Sequence, residues 1–231
     1  MQNIFIIILN ITLLIGVCSA GENLDLEDKK VRLSYSIGYQ VGGDFIRQGK
    51  DINPDVLLKG VQDALADKEP LMNQKEMNIT LINFQKTVAE AQKQKMIEQA
   101  KKNLEAGMAF LADNGKKEGV QTLPSGLQYK VINQGAGKAP GFSDKVTVHY
   151  RGTLIDGTLF DSSLRRNKPA TFSVSGVIKG WTEALQLMKE GAKWQLFIPP
   201  DLAYGDKRTR SIEPNSTLIF EVELLDVKHA E

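Results

Sequence analysis

Apolar and polar positions fall into three successive rhythms along the 231-residue chain. From about residue 24 to 67 the spacing is helical: Val31, Tyr35, Gly38, Val41, Gly42, Phe45 and Ile46 fall largely on one stripe. Ser34, Gly38 and Gly42 recur every four residues, predicting a smooth strip on which another helix can approach closely. Asn53-Pro54-Asp55 restarts a helix, with Asn53 as cap and Pro54 at the first position, and Val56, Leu57, Val61, Ala64 and Leu65 form its apolar face.

The second rhythm opens at Asn73, whose spacing to Glu76 predicts a capping box. No proline follows until after residue 117, and Gly107 is the only glycine before Gly115. At roughly 1.5 Å per residue this predicts one helix on the order of 60 Å long. Its start is apolar (Met77, Leu81, Ile82, Phe84, Val88), whereas residues 90–102 are mostly Gln, Lys, Glu and Ala, with Glu98 placed to pair with Lys102. A middle so polar predicts a solvated strut between two packed ends. The alternative, a helix packed along its whole length, needs a continuous apolar stripe that the middle lacks.

After Asn114-Gly115 the period becomes two. Val146, Val148 and Tyr150 share one face of a strand, and Asp156-Gly157 is a hairpin signal between 154 and 160. Stretches 171–174, 194–198 and 217–224 complete at least five strands, interrupted by one short helix over about 182–188. The fold class is therefore α+β: an N-terminal all-helical part, a long connecting helix, and a C-terminal antiparallel sheet half-wrapped around one short helix. The expected divisions are a signal peptide over 1–20, helices over 21–72, the long helix over 73–117 and the sheet domain over 118–231.

Composition narrows the chemistry. With 29 basic against 28 acidic side chains there is no global field, and nothing points to nucleic acid or a membrane surface as the main partner. Ile4 to Val17 is an apolar run too short to span a bilayer comfortably, ending in Cys18-Ser19-Ala20, which suits cleavage of an export signal after Ala20. The n-region has no Lys or Arg, and Ile15-Gly16-Val17-Cys18 also resembles a lipoprotein site, so lipidation at Cys18 stays open. Cys18 is the only cysteine, and the histidines are His149 and His229 alone. That leaves little material for thiol chemistry, a His-based metal site or a Ser-His-Asp triad.

The sheet region instead collects aromatic residues at strand ends and in loops: Tyr150, Phe160, Trp181, Tyr204 and Phe220. Each alone reads first as structural, because aromatic residues dominate cores. Together with Asp161, the Tyr204 hydroxyl and the Ile178 backbone N–H they allow an apolar pocket with a few placed polar groups.

The motifs VTVHYRG, GTLFDSS, VIKGWTEAL and LAYG, in this order, resemble an FK506-binding-protein-type peptidyl-prolyl isomerase domain. LSYSIG near the N-terminus and LPSGLQYKVIN at 123–133 resemble the macrophage infectivity potentiator group of that family. The resemblance implies a proline pocket lined by Tyr150, Phe160, Asp161, Val177, Ile178, Trp181, Tyr204 and Phe220, with Trp181 as its floor. It implies that Arg166 pairs with Asp161 and that Ile212 supplies an aliphatic contact from the last loop. Ala170 stands where some relatives have a wall aromatic, and Lys207-Arg208-Thr209-Arg210 replaces a loop histidine; both departures bear on flanking-residue preference. The implied activity is rotation about X-Pro bonds in exported proteins, assisting their folding, with no cofactor and no metal. The implied partners are proline-containing unfolded polypeptides and macrolide inhibitors of the FK506 type, with no nucleic acid. Helices one and two are implied to interlock with a second chain, so that two sheet domains stand apart on two struts around a cleft. The implied location is the periplasm, outer membrane or cell surface of a Gram-negative-type bacterium. The rival expectation is a holdase-type chaperone or surface adhesin with an incidental pocket. A vestigial pocket would have lost Asp161, Tyr204 or Trp181, and all three are present.

Overall fold

The computed structural model describes residues 24–47 and 52–229, so the expected signal segment and Cys18 lie outside the described residues. The chain divides into two compact units, the first ending at Ile79 and the second starting at Thr80.

In the first unit, α1 (Lys29–Arg47) and α2 (Pro54–Leu65) precede the opening turn of α3 (Gln74–Asn114). The expected cap of α2 forms: Asn53 Oδ1 accepts from the amides of Asp55 at 3.0 Å and Val56 at 3.2 Å. Apolar content is ample, yet no side chain of α1 is buried within the single chain, and the buried residue of α2 is Asp63, paired with Lys59 and Lys68. The glycine strip of α1 is likewise open, since a Cβ at Gly38 or Gly42 would meet nothing within 4 Å.

Helix α3 runs 41 residues from a reciprocal capping box, in which Asn73 Oδ1 accepts from Glu76 N at 2.9 Å and Glu76 Oε2 from Asn73 N at 3.2 Å. Its middle is exposed, as the polar composition requires. The ion pair there joins Lys101 to Glu105 at 3.9 Å; the expected Glu98–Lys102 pair does not form, and the exposed side chains gain too little from pairing to fix one register.

The last third of α3 packs on the sheet. Phe110 meets Phe197 with centroids 5.9 Å apart, and Asn114 Nδ2 donates to the buried Gln128 Oε1 at 3.0 Å. At Gly107 a Cβ would stand 2.3 Å from Thr217 Oγ1, so only glycine allows this approach.

The sheet has seven strands: β1 (Val120–Thr122), β2 (Gln128–Asn133), β3 (Lys145–Leu154), β4 (Leu159–Ser162), β5 (Ala170–Ser173), β6 (Lys193–Ile198) and β7 (Leu218–Lys228). All pairings are antiparallel in the order β1-β2-β6-β7-β3-β4, and β5 also pairs with β3. β3 and β7 form the central ladder, with Val146, Val148 and Tyr150 of β3 and Phe220, Val222 and Leu224 of β7 facing inward, Val148 opposite Leu224 and Tyr150 opposite Val222. Period two predicts this face because alternate side chains leave a strand on the same side. Helix α4 (Lys179–Leu187) lies on that face, burying Trp181, Ala184 and Leu185 in the core, with Met188 just beyond its end. It begins three residues earlier than its apolar pattern suggests.

Candidate functional site

The site forms where β3, β4, α4 and two loops converge. β3 runs inward to Tyr150 and continues to Gly152, which sits opposite both Asp161 on β4 and Phe220 on β7. A Cβ at Gly152 would stand 2.7 Å from Phe160 Cζ and 2.7 Å from Phe220 Cε1. Its absence lets the two rings meet edge to face at 5.4 Å and 84°.

Trp181 occupies the first turn of α4, 4% exposed. Three rings stand nearly perpendicular to it: Phe220 at 5.2 Å, Tyr150 at 5.4 Å and Phe172 at 5.9 Å. Edge-to-face contacts of this kind set positive ring edges against negative faces, and each adds about 0.5–1.5 kcal/mol beyond area burial. The indole is held by these contacts and lines a cavity of about 590 Å³.

The helix entry supplies a polar group. Ile178 is extended (φ −61°, ψ 149°), and its carbonyl accepts from Trp181 N at 2.9 Å and Thr182 N at 3.0 Å. Its own amide donates to no acceptor among the described residues, as expected of a helix start without a side-chain cap. That N–H is available to a ligand at the cavity edge.

Asp161 anchors the opposite wall. Its Oδ2 accepts from the Tyr150 hydroxyl at 2.6 Å, and its Oδ1 from Ser162 N and Arg166 Nη1, both at 2.7 Å. Arg166 Nη2 also donates to the Tyr150 oxygen at 2.8 Å, closing a triangle. Burial, the largest influence on Asp161, pushes its carboxyl upward. The bonds from Tyr150, Arg166 and Ser162 outweigh it and hold the group below the usual carboxylate range. Tyr150 moves the other way, raised by burial first and then by its bond to Asp161.

The cavity is lined by nine of the ten residues expected at the site: Tyr150, Phe160, Asp161, Val177, Ile178, Trp181, Tyr204, Ile212 and Phe220. Arg166 is outside the lining and reaches it through Asp161 and Tyr150. Tyr204 is 41% exposed at the rim. The sequence reading missed Phe172, Gly176 and Ser211; Thr209 and Arg210, singled out there as part of the loop that replaces a histidine, also line the cavity. Phe172 was legible in principle, since it shares the face of β5 with Ala170, the position where a wall aromatic is missing. Its ring closes that wall two residues further on, 5.9 Å from both Tyr150 and Trp181. Gly152 was also missed, because a strand glycine advertises nothing about the rings that need its space.

Two family models match the chain. Residues 30–131 match the domain amino-terminal to FKBP-type peptidyl-prolyl isomerase, and residues 137–225 match the FKBP-type peptidyl-prolyl cis-trans isomerase. The chain is 49% identical over 213 residues to the outer membrane protein MIP of Legionella longbeachae, covering 92% of this chain and 91% of that protein. It is 43% identical over 229 residues to the peptidyl-prolyl cis-trans isomerase Mip of Coxiella burnetii, covering 99% of each. Among solved structures, FkpA from Escherichia coli superposes with a TM-score of 0.77 at 42% identity, covering 91% of this chain and all of that one.

Proposed function

Since the chain belongs to the FKBP-type peptidyl-prolyl cis-trans isomerase family and is an isomerase of that type, we propose that it is exported and turns X-Pro bonds in other exported polypeptides, with Trp181 as the floor on which the substrate proline rests. The observation that carries the assignment of residues is the indole held by three perpendicular rings in the lining of an aromatic cavity, beside the unused Ile178 N–H.

Rotation about the peptide bond breaks no covalent bond, and its barrier is roughly 18–20 kcal/mol. Resonance and hydration of the carbonyl both favour the planar amide and fade as it twists. An aromatic cavity removes the water, favouring the less polar twisted form. The Ile178 amide and Tyr204 hydroxyl are assigned to hold substrate carbonyls in that form. A 10⁵-fold acceleration requires only about 7 kcal/mol, within reach of those bonds and proline burial together. Val177 and Ile212 bound the proline site. The Tyr150 hydroxyl is spent on Asp161 and Arg166, so this triangle fixes the wall rather than transferring a proton.

A prolyl tetrapeptide assay tests the assignment. Trp181→Leu and Asp161→Leu should each lower kcat/KM by roughly tenfold or more, the loss of about 1.4 kcal/mol of transition-state stabilisation. Tyr204→Phe should cost severalfold, the worth of one exposed hydrogen bond. Full activity in Trp181→Leu would remove the floor from the mechanism.

Export is supported by the apolar leader of the sequence and by the name of the Legionella relative. The mass of the mature N-terminus tests it, separating cleavage after Ala20 from lipidation at Cys18. A second copy of the chain is assigned to the open apolar faces of α1 and α2. Macrolides of the FK506 type are assigned to the Trp181 cavity, in competition with substrate.

A further inference from the structure

Several cations stand near the cavity, and two of them are paired with carboxylates. Arg166 is bound by Asp161 at 2.7 Å, and Arg208 pairs with Glu213 at 2.9 Å. Asp206 and Lys207, neighbours on the approach to the loop and outside the lining, carry opposite charges. Arg210 lines the cavity, is exposed, and has no carboxylate within ion-pair distance among the described residues. The one carboxylate in the lining, Asp161, already receives three donors.

The loop that carries Arg210 is held firmly. Arg210 and Ser211 form the tip of a tight turn, closed by Thr209 N to Ile212 O and by Ile212 N to Thr209 Oγ1, both at 3.0 Å. Beyond the turn, Asn103 of α3 donates to Pro214 O at 2.8 Å, and Asn215 N donates to Gly205 O at 2.7 Å. Ser216 Oγ donates to Glu213 O at 2.7 Å. A charge presented on a turn fixed from both sides gives up less freedom on pairing than one on a loose loop. Close to an apolar wall, it is also screened less than a charge in open solvent.

We propose that Arg210 is a specificity-determining residue, favouring prolyl substrates that carry a carboxylate side chain beside the proline. This rests on the assignment of the Trp181 cavity as the prolyl site. The selection acts on the residues flanking the proline and leaves rotation of the bond to the aromatic floor. An exposed ion pair is worth little in stability, yet it is enough to bias a choice between substrates.

The test is a set of prolyl tetrapeptides with Glu, Leu or Lys before the proline, and a second set with the same residues after it. The readout is the ratio of kcat/KM for the Glu peptide to that for the Lys peptide, which is independent of how much of a variant is folded. In the wild type this ratio should exceed one by roughly two- to fivefold in at least one set, the range an exposed pair supplies. Arg210→Ala should bring the ratio near one, and Arg210→Glu should invert it. The wild-type preference should also shrink as salt rises from about 0.01 M to 1 M, where the Debye length falls from roughly 30 to 3 Å. A ratio unchanged by both variants, with Leu peptides still turned over, would overturn the role of Arg210 alone. A wild type that turned over no prolyl peptide would overturn the cavity assignment along with it.

Discussion

At Asp161 two opposed influences meet, and which one wins fixes the pH behaviour of the site. Burial favours the neutral acid, but three hydrogen bonds favour the carboxylate and prevail. Asp161 therefore has a folded value below its unfolded one, so its stabilising contribution is fully present above the unfolded value. It is lost only as pH falls through the lower, folded value. Tyr150 is raised, so it keeps its proton up to and beyond the ordinary phenol range near 10. No member of the triangle titrates in between. The expected kcat/KM profile is flat from roughly pH 5 to 9, read with a peptide that has no ionisable side chain. An inflection within that range would overturn the proton-free mechanism. Much at this scale was legible: aromatic residues at strand ends, one acid beside them, and few groups suited to covalent chemistry. The resemblance implied the Arg166–Asp161 pair, but the Tyr150 bonds that complete the triangle were not legible, since residues 150 and 161 meet only once β3 and β4 have paired.

Elements with local signals were read well, and those held by distant partners were not. Asn53 caps α2, Asn73 and Glu76 form their box, and the Asp156-Gly157 turn closes β3 onto β4, with Gly157 at φ +86°. α4 starts early because Ile178 is its cap, and an uncapped start leaves no polar signature. β2 was hidden from periodicity because Gln128, a polar residue, is buried there. It is satisfied by Asn114 and by the Leu111 carbonyl, both on α3. Gly107 is the sharpest instance. Mid-helix glycine costs about 1 kcal/mol against alanine, and the reason for it stands on the loop before β7. Gly107→Ala should gain helix propensity yet lose net stability, by roughly 1–3 kcal/mol, because its Cβ would intrude on buried Thr217. Thermal unfolding of Gly107→Ala, alone and with Thr217→Ala, checks this. The second change removes Oγ1 and should restore part of the loss, whereas a more stable single variant would show that α3 does not rest on Thr217.

On the scale of the whole molecule, the first unit holds apolar side chains that one chain leaves in water. Ile46 is 80% exposed, Leu65 85% and Tyr39 75%, beside Leu33, Ile37 and Val56. At roughly 25 cal/mol per Å² such surface is a strong drive to associate. The sequence predicted both the stripe and the glycine strip of α1 on which a second helix could lie. The single chain provides no such helix at Gly38 or Gly42. This supports a second copy as the occupant and gives a discriminating test. Gly42→Leu meets nothing within its own chain and raises helix propensity by close to 1 kcal/mol, so the isolated protomer is not harmed. Across a close helix contact the same side chain has no room. Sedimentation equilibrium should therefore find the wild type dimeric and Gly38→Leu/Gly42→Leu shifted toward monomer. Turnover of a short prolyl peptide should be retained, since the Trp181 cavity is built entirely from residues beyond 149. Refolding of a long prolyl client should fall, because one cavity then acts where two were tethered. A dimer of undiminished affinity in the double variant would place the interface off the glycine strip, and a monomeric wild type would leave the exposed stripe to a different partner.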